Sequence, residues 1–156
     1  SNGLLSRFKP FAVHDYRLPG LPGRGAVLAR FGRSHAPEES LSLCVVHLAL
    51  SQRARLRQLG FVAELLKDHP HAVVMGDFNC EPDSPELRLL TRSAGLCDPA
   101  CIVNTWPSWQ PQRMIDHILV TPSLKVERLH VLHFACSDHL PIAMDIELPA
   151  KLRLHA

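Results

Sequence analysis

The run Val73-Val74-Met75, followed without a spacer by Gly76-Asp77-Phe78-Asn79, constrains this chain more than any other feature. Three consecutive apolar residues suit a strand covered on both faces, and burying the carboxylate and amide that follow without partners would be costly. A metal ion, a substrate or a hydrogen-bond network must therefore compensate the charge at this strand end.

The surrounding pattern is mixed. Apolar segments at Gly3 to Phe8, Gly25 to Phe31 and Leu41 to Leu48, separated by Gly-, Pro- and Ser-rich stretches, read as strands joined by loops. From Gln52 to Asp68 the period changes: Leu56, Leu59, Val62, Ala63, Leu65 and Leu66 share one side of a 3.6-residue repeat, which predicts a helix with Ser51 as its N-cap. A second helix is expected after Ser84, with Pro85 in its first turn and Gly95 as its stop. Strands are expected at Met114 to Thr121, Leu124 to Leu132 and Pro141 to Leu148. The sum is an α/β pattern with more strands than helices, and residues 1–156 read as one domain.

Composition narrows the setting. The chain is 46% hydrophobic and 21% charged, which is ordinary for a globular protein, and its apolar runs are too short to cross a bilayer. A net charge of +2 does not by itself announce a nucleic-acid binder, and 13 Arg against 4 Lys fits phosphate contacts or coding bias equally. Five cysteines without a paired CxxC spacing argue against a disulfide framework and point to a reducing, cytoplasmic compartment. Cys97 and Cys101 supply half of a zinc-like spacing, but no second half follows.

Four polar interruptions carry the chemistry: His47 in VVHLAL, Asp77 and Asn79 in GDFN, Asp116 and His117 in IDHILV, and Asp138 and His139 in SDHLP. Residues two apart on an extended chain point the same way, so Asp77 and Asn79 can offer oxygens to one point, which suits Mg²⁺ or Mn²⁺. Neighbouring Asp and His side chains face opposite ways, so Asp116 is expected to pair across strands with His139, leaving His117 to packing and Asp138 to the metal. Arg53 and Arg57, one turn apart on the first helix, and Trp106 in a Pro-rich loop are candidates for contacting substrate, each with an alternative as solvated face or core-edge seal.

In this order, GDFN, IDHILV and SDHLP after VVHLALSQRARLRQ resemble the later motifs of the endonuclease/exonuclease/phosphatase superfamily, the deoxyribonuclease I-like phosphodiesterases. NGLLSRF, RGAVLAR and NTWPSWQPQRMIDHIL extend the resemblance over nearly the whole chain. The resemblance implies a two-sheet sandwich flanked by helices and Mg²⁺- or Mn²⁺-dependent hydrolysis of a phosphodiester in nucleic acid, nucleotide or lipid. It implies that His47 contacts the scissile phosphate, that Asp77 and Asn79 hold water, phosphate and metal, that Asp116 orients a catalytic His139, and that Asp138 lies on the metal side. The superfamily's early strand, with an Asn and a metal-binding Glu, precedes the GLLSRF segment and has no counterpart here; Glu38 and Glu39 come too late. The chain is thus expected to be N-terminally incomplete, to bind Mg²⁺ weakly and turn over little alone, and to self-associate through an unpaired sheet edge. The rival reading is a non-catalytic binding module that keeps the fold.

Overall fold

The computed structural model describes residues 2–20, 22–99 and 102–154. Its strands are β1 (Ala12–Arg17), β2 (Gly25–Gly32), β3 (Ser40–His47), β4 (Ala72–Asp77), β5 (Asp116–Val120), β6 (Lys125–Val131) and β7 (Ile142–Glu147); its α-helices are α1 (Gln52–Leu66) and α2 (Pro85–Ala94). One sheet runs β1-β2-β3-β4-β5 and a second pairs β6 with β7. In the first, β3 and β4 are parallel, joined through α1, and the other neighbours are antiparallel.

The apolar run in β4 sits in the centre of this architecture because both its faces are covered. Ala72 and Val74 join the cluster with α1 and α2 residues such as Leu59, Val62, Leu87 and Leu90. Val73 and Met75 face the other way, against Val126, Leu129, Ile142 and Met144 of the second sheet. Gly76 follows with φ +139°, and a Cβ there would stand 2.0 Å from the Val46 carbonyl oxygen. Only glycine lets β3 and β4 stay in register up to Asp77.

Local signals set several boundaries. Ser84 Oγ accepts the Leu87 N–H at 3.3 Å, Pro85 opens α2, and Gly95 closes it in the left-handed region at φ 64°. Ser51 does stand at the α1 N-cap, but its side chain makes no capping bond; its carbonyl accepts the Arg55 N–H at 3.0 Å. The expected first strand is corrected. Gly3 to Phe8 joins no ladder and is tied instead by the Asn2 side chain, which donates to Gly25 O at 2.6 Å and Val45 O at 3.2 Å. The edge strand is Ala12–Arg17, whose side chains are largely exposed, so it carries no apolar alternation for sequence reading to find.

Candidate active site

Strand register explains why the interrupting residues meet. His47 is the pairing partner of Asp77, and Asp77 of Asp116, so one row across β3, β4 and β5 carries all three. Residues paired across a sheet project from the same face. The row continues to Gly25 on β2, which places Arg24, one residue earlier, at the same rim. Together with Leu50, Asn79, Ser137, Asp138 and His139, these residues line a cleft of about 420 Å³.

His139 arrives from the β6–β7 connection. Its Nδ1–H donates to Asp116 Oδ2 at 2.8 Å, and the Thr105 hydroxyl donates to the same oxygen from a fully buried position. The connection is pinned by Ser108, whose N–H bonds Asp138 O at 2.8 Å, and by the Leu140 N–H to Thr105 O at 2.9 Å. His117, the alternative partner for Asp116, turns into the core: Nε2–H donates to Cys80 O at 2.8 Å and the ring stands edge-on to Phe78.

Asp77 and Asn79 converge for a different reason from the extended alternation expected. The strand ends at Asp77, and Asn79 takes a left-handed φ of 53°, a conformation asparagine tolerates. The Asn79 N–H donates to Asp77 Oδ1 at 2.9 Å, and its Nδ2 donates to Leu48 O at 2.9 Å, leaving Oδ1 as the acceptor end. Opposite, His47 Nε2 lies 3.4 Å from Asp77 Oδ2 and accepts a hydrogen bond from Arg24 Nη1.

Arg24 and Thr105 are residues that sequence reading missed. Arg24 stands between two glycines just before β2, a position that means nothing until the register is known. Thr105 has no motif of its own. Conversely, Arg53 and Arg57 are exposed on α1 and do not line the cleft, while Arg55, between them, is turned inward. Trp106 is half-buried with Arg113 over its ring at 5.6 Å, and it too stands outside the cleft lining.

The electrostatics follow from two carboxylates sharing a partly buried site. Burial pushes the Asp77 carboxyl above its ordinary range, and the Asp116 charge adds to this, against the opposing pull of the Asn79 N–H and the two histidines. His47 is held below ordinary histidine by burial and by the Arg24 charge, despite Asp77. For His139, burial lowers the value, but the hydrogen bond and charge of Asp116, with Asp77 and Asp138, outweigh it and the net shift is upward. Ligand atoms of Asp77, Asp116 and His139 lie within 4.8 Å of one another, and Asp138 lines the exposed rim. Asp77, raised chiefly by burial and next to the Asp116 carboxylate, offers hard oxygen at a cluster whose chemistry fits a divalent cation.

A raised His139 means that its imidazolium stabilises the fold below ordinary histidine pKa, and that this contribution is lost as pH rises through the folded value. Ring ¹⁵N titration should place His139 above and His47 below ordinary histidine. Asp116→Asn should bring His139 down, because burial then prevails; an unchanged titration would refute the pairing as the cause.

A family model described as Endonuclease/Exonuclease/phosphatase family matches residues 2–139. No curated protein matches the chain. Among solved structures it is similar to a mannosyl-6-phosphatase of Bacteroides thetaiotaomicron, with TM-score 0.76 and 19% identity over 90% of this chain and 67% of that one. It is also similar to the human Nocturnin catalytic domain with bound sulfate, with TM-score 0.72 and 20% identity over 92% of this chain and 61% of that one. D. rerio TDP2 complexed with single strand DNA product gives TM-score 0.70 and 20% identity over 90% and 69%. The chain spans about two thirds of the length of these structures.

Proposed function

This chain belongs to the endonuclease/exonuclease/phosphatase family, and on that premise we propose that the protein carrying it is a metal-dependent phosphoester hydrolase, acting on a phosphodiester by in-line attack of water. The observation that supports this best is the single row that assembles His47, Asp77 and Asp116 opposite His139. Arg24 and His47 bind the phosphoryl oxygens from one wall. Asp77 and Asn79 hold the attacking water, and Asp77 accepts a proton from it. His139 donates its Nε2 proton to the departing ester oxygen as the P–O bond breaks, while Asp116, itself held by the Thr105 hydroxyl, fixes the ring through Nδ1. Asp77 and Asn79, with Asp138 at the rim, would hold a divalent cation, which would supply charge neutralisation at the phosphoryl oxygens when bound.

Hydrolysis of bis-p-nitrophenyl phosphate by the whole protein should stop on chelation and return with Mg²⁺ or Mn²⁺, and it should exceed hydrolysis of the corresponding monoester. Turnover indifferent to chelator would refute the metal. Failure to cleave either ester under any metal would leave a binding module with this fold. Among the described residues no helix is long and apolar enough to cross a membrane, and Cys44, Cys80, Cys97 and Cys136 are free thiols.

Self-association belongs to the same proposal. The β6–β7 sheet has only these two strands among the described residues, so the outer edge of β7 offers main-chain groups to another chain. Light scattering should show a mass that rises with concentration; a constant monomer mass would refute it.

A further inference from the structure

The buried face of α1 carries one uncharged polar side chain among its apolar ones. Gln58 is fully buried beside Leu59, Val62, Ala63 and Leu66. An apolar residue of the same size would fill this space without desolvating an amide. Both ends of the amide are nevertheless satisfied, and both by main chain from outside the helix. Nε2 donates to Pro19 O at 3.1 Å, and Oε1 accepts the Ala49 N–H at 2.8 Å.

Those two partners belong to the two connections that form one wall of the cleft. Pro19 lies in the turn between β1 and β2, closed by the Leu18 N–H to Arg24 O at 3.1 Å, and Arg24 contacts His47 from this turn. Ala49 follows Leu48, whose N–H bonds Asp77 O at 2.9 Å and whose carbonyl receives the Asn79 amide. Leu50, next along, lines the cleft. The two connections are 30 residues apart, and Gln58 bridges them from a rigid helix.

We propose that Gln58 is a positioning residue: its amide bridges Pro19 and Ala49, so that Arg24 is held against His47 on one side while Leu48 holds Asn79 on the other. It touches neither the cleft nor any ligand there. Its effect on phosphate rests on the function proposed above; its effect on the Arg24–His47 contact does not.

NMR of this chain with Gln58→Met separates the two. Amide exchange at Ala49 and Leu18 should accelerate about five- to tenfold, the scale of one lost buried hydrogen bond, while Val74 and Leu119 in the sheet keep their rates. Cross-peaks between the Arg24 guanidinium and the His47 ring should vanish, and the His139 Nδ1–H signal held by Asp116 should stay. Should Gln58→Met not fold, Gln58→Asn decides: one methylene shorter, its amide cannot reach Pro19 O and the Ala49 N–H together, so the Arg24–His47 cross-peaks vanish. Cross-peaks that persist in the folded variants overturn the proposal, as does equal acceleration across the sheet, which marks general loosening. Inorganic phosphate should bind the Gln58→Met variant about tenfold more weakly than the unmodified chain. Equal phosphate affinity overturns the positioning role. If the unmodified chain binds no phosphate, the phosphoester reading suffers and the cross-peaks alone decide the bridge.

Discussion

His139→Ala in the whole protein is expected to lower phosphodiester hydrolysis by about 10²- to 10⁴-fold, the usual loss when a positioned acid or base is removed. The fold should survive. The His139 side chain is a quarter exposed and bonds Asp116 in the cleft, which keeps the Thr105 hydroxyl. Kinetics should show the loss in kcat more than in KM, because Arg24 and His47, on the other wall, still bind phosphate. Asp77→Ala should fall as far for a separate reason, since it removes the water-holding carboxylate and a metal oxygen together. Turnover within tenfold of the parent in both variants, with circular dichroism unchanged, would mean that hydrolysis does not occur in this cleft.

The largest stability effect is expected from Glu86→Ala. Glu86 is fully buried at the start of α2, and Arg55, its side chain 12% exposed, meets it with Nε at 2.8 Å and Nη2 at 2.7 Å. Arg55 Nη1 also donates to the Leu50 carbonyl, so the pair ties α1 and α2 to the segment after His47. Removing one member of such a pair leaves the other charged and buried without compensation, at a cost of about 3–5 kcal/mol. Urea unfolding should report that loss. The double replacement Arg55→Met with Glu86→Leu should recover much of it, because no unpaired charge remains. A single variant within about 1 kcal/mol of the parent would show that water reaches Arg55 and the pair is not sealed.

The contrast between α2 and the cleft shows where sequence reading succeeds. Ser84, Pro85 and Gly95 act on backbone groups within a turn of themselves, so the bounds of α2 are legible from the short stretch Ser84 to Gly95. The two-faced burial of β4 was legible for the same reason, since Val73, Val74 and Met75 state it without reference to anything distant. GDFN, IDHILV and SDHLP named the polar residues of the site, and hydrophobic patterning said that each would stand at a strand end.

What sequence reading lacked was register. Whether Asp77 lies level with His47 and Asp116 is decided by ladder hydrogen bonds between main-chain groups, which are the same for every residue and leave no trace in side-chain identity. Hence Arg24, brought to the rim only because Gly25 pairs with His47, leaves no signal in the sequence, while Arg53 and Arg57 stand on the solvated face of α1. Thr105 and Gln58 escaped similarly, because Thr105 bonds a residue 11 positions away and Gln58 bridges residues 9 and 39 positions away along the chain. The edge strand Ala12–Arg17 is a strand because β2 offers it a ladder, while Gly3 to Phe8, with the more apolar sequence, has none. The local code of this chain determined which residues are apolar, where helices stop and which polar groups need compensation. Long-range main-chain pairing, to which side-chain patterns are blind, determined which of them meet.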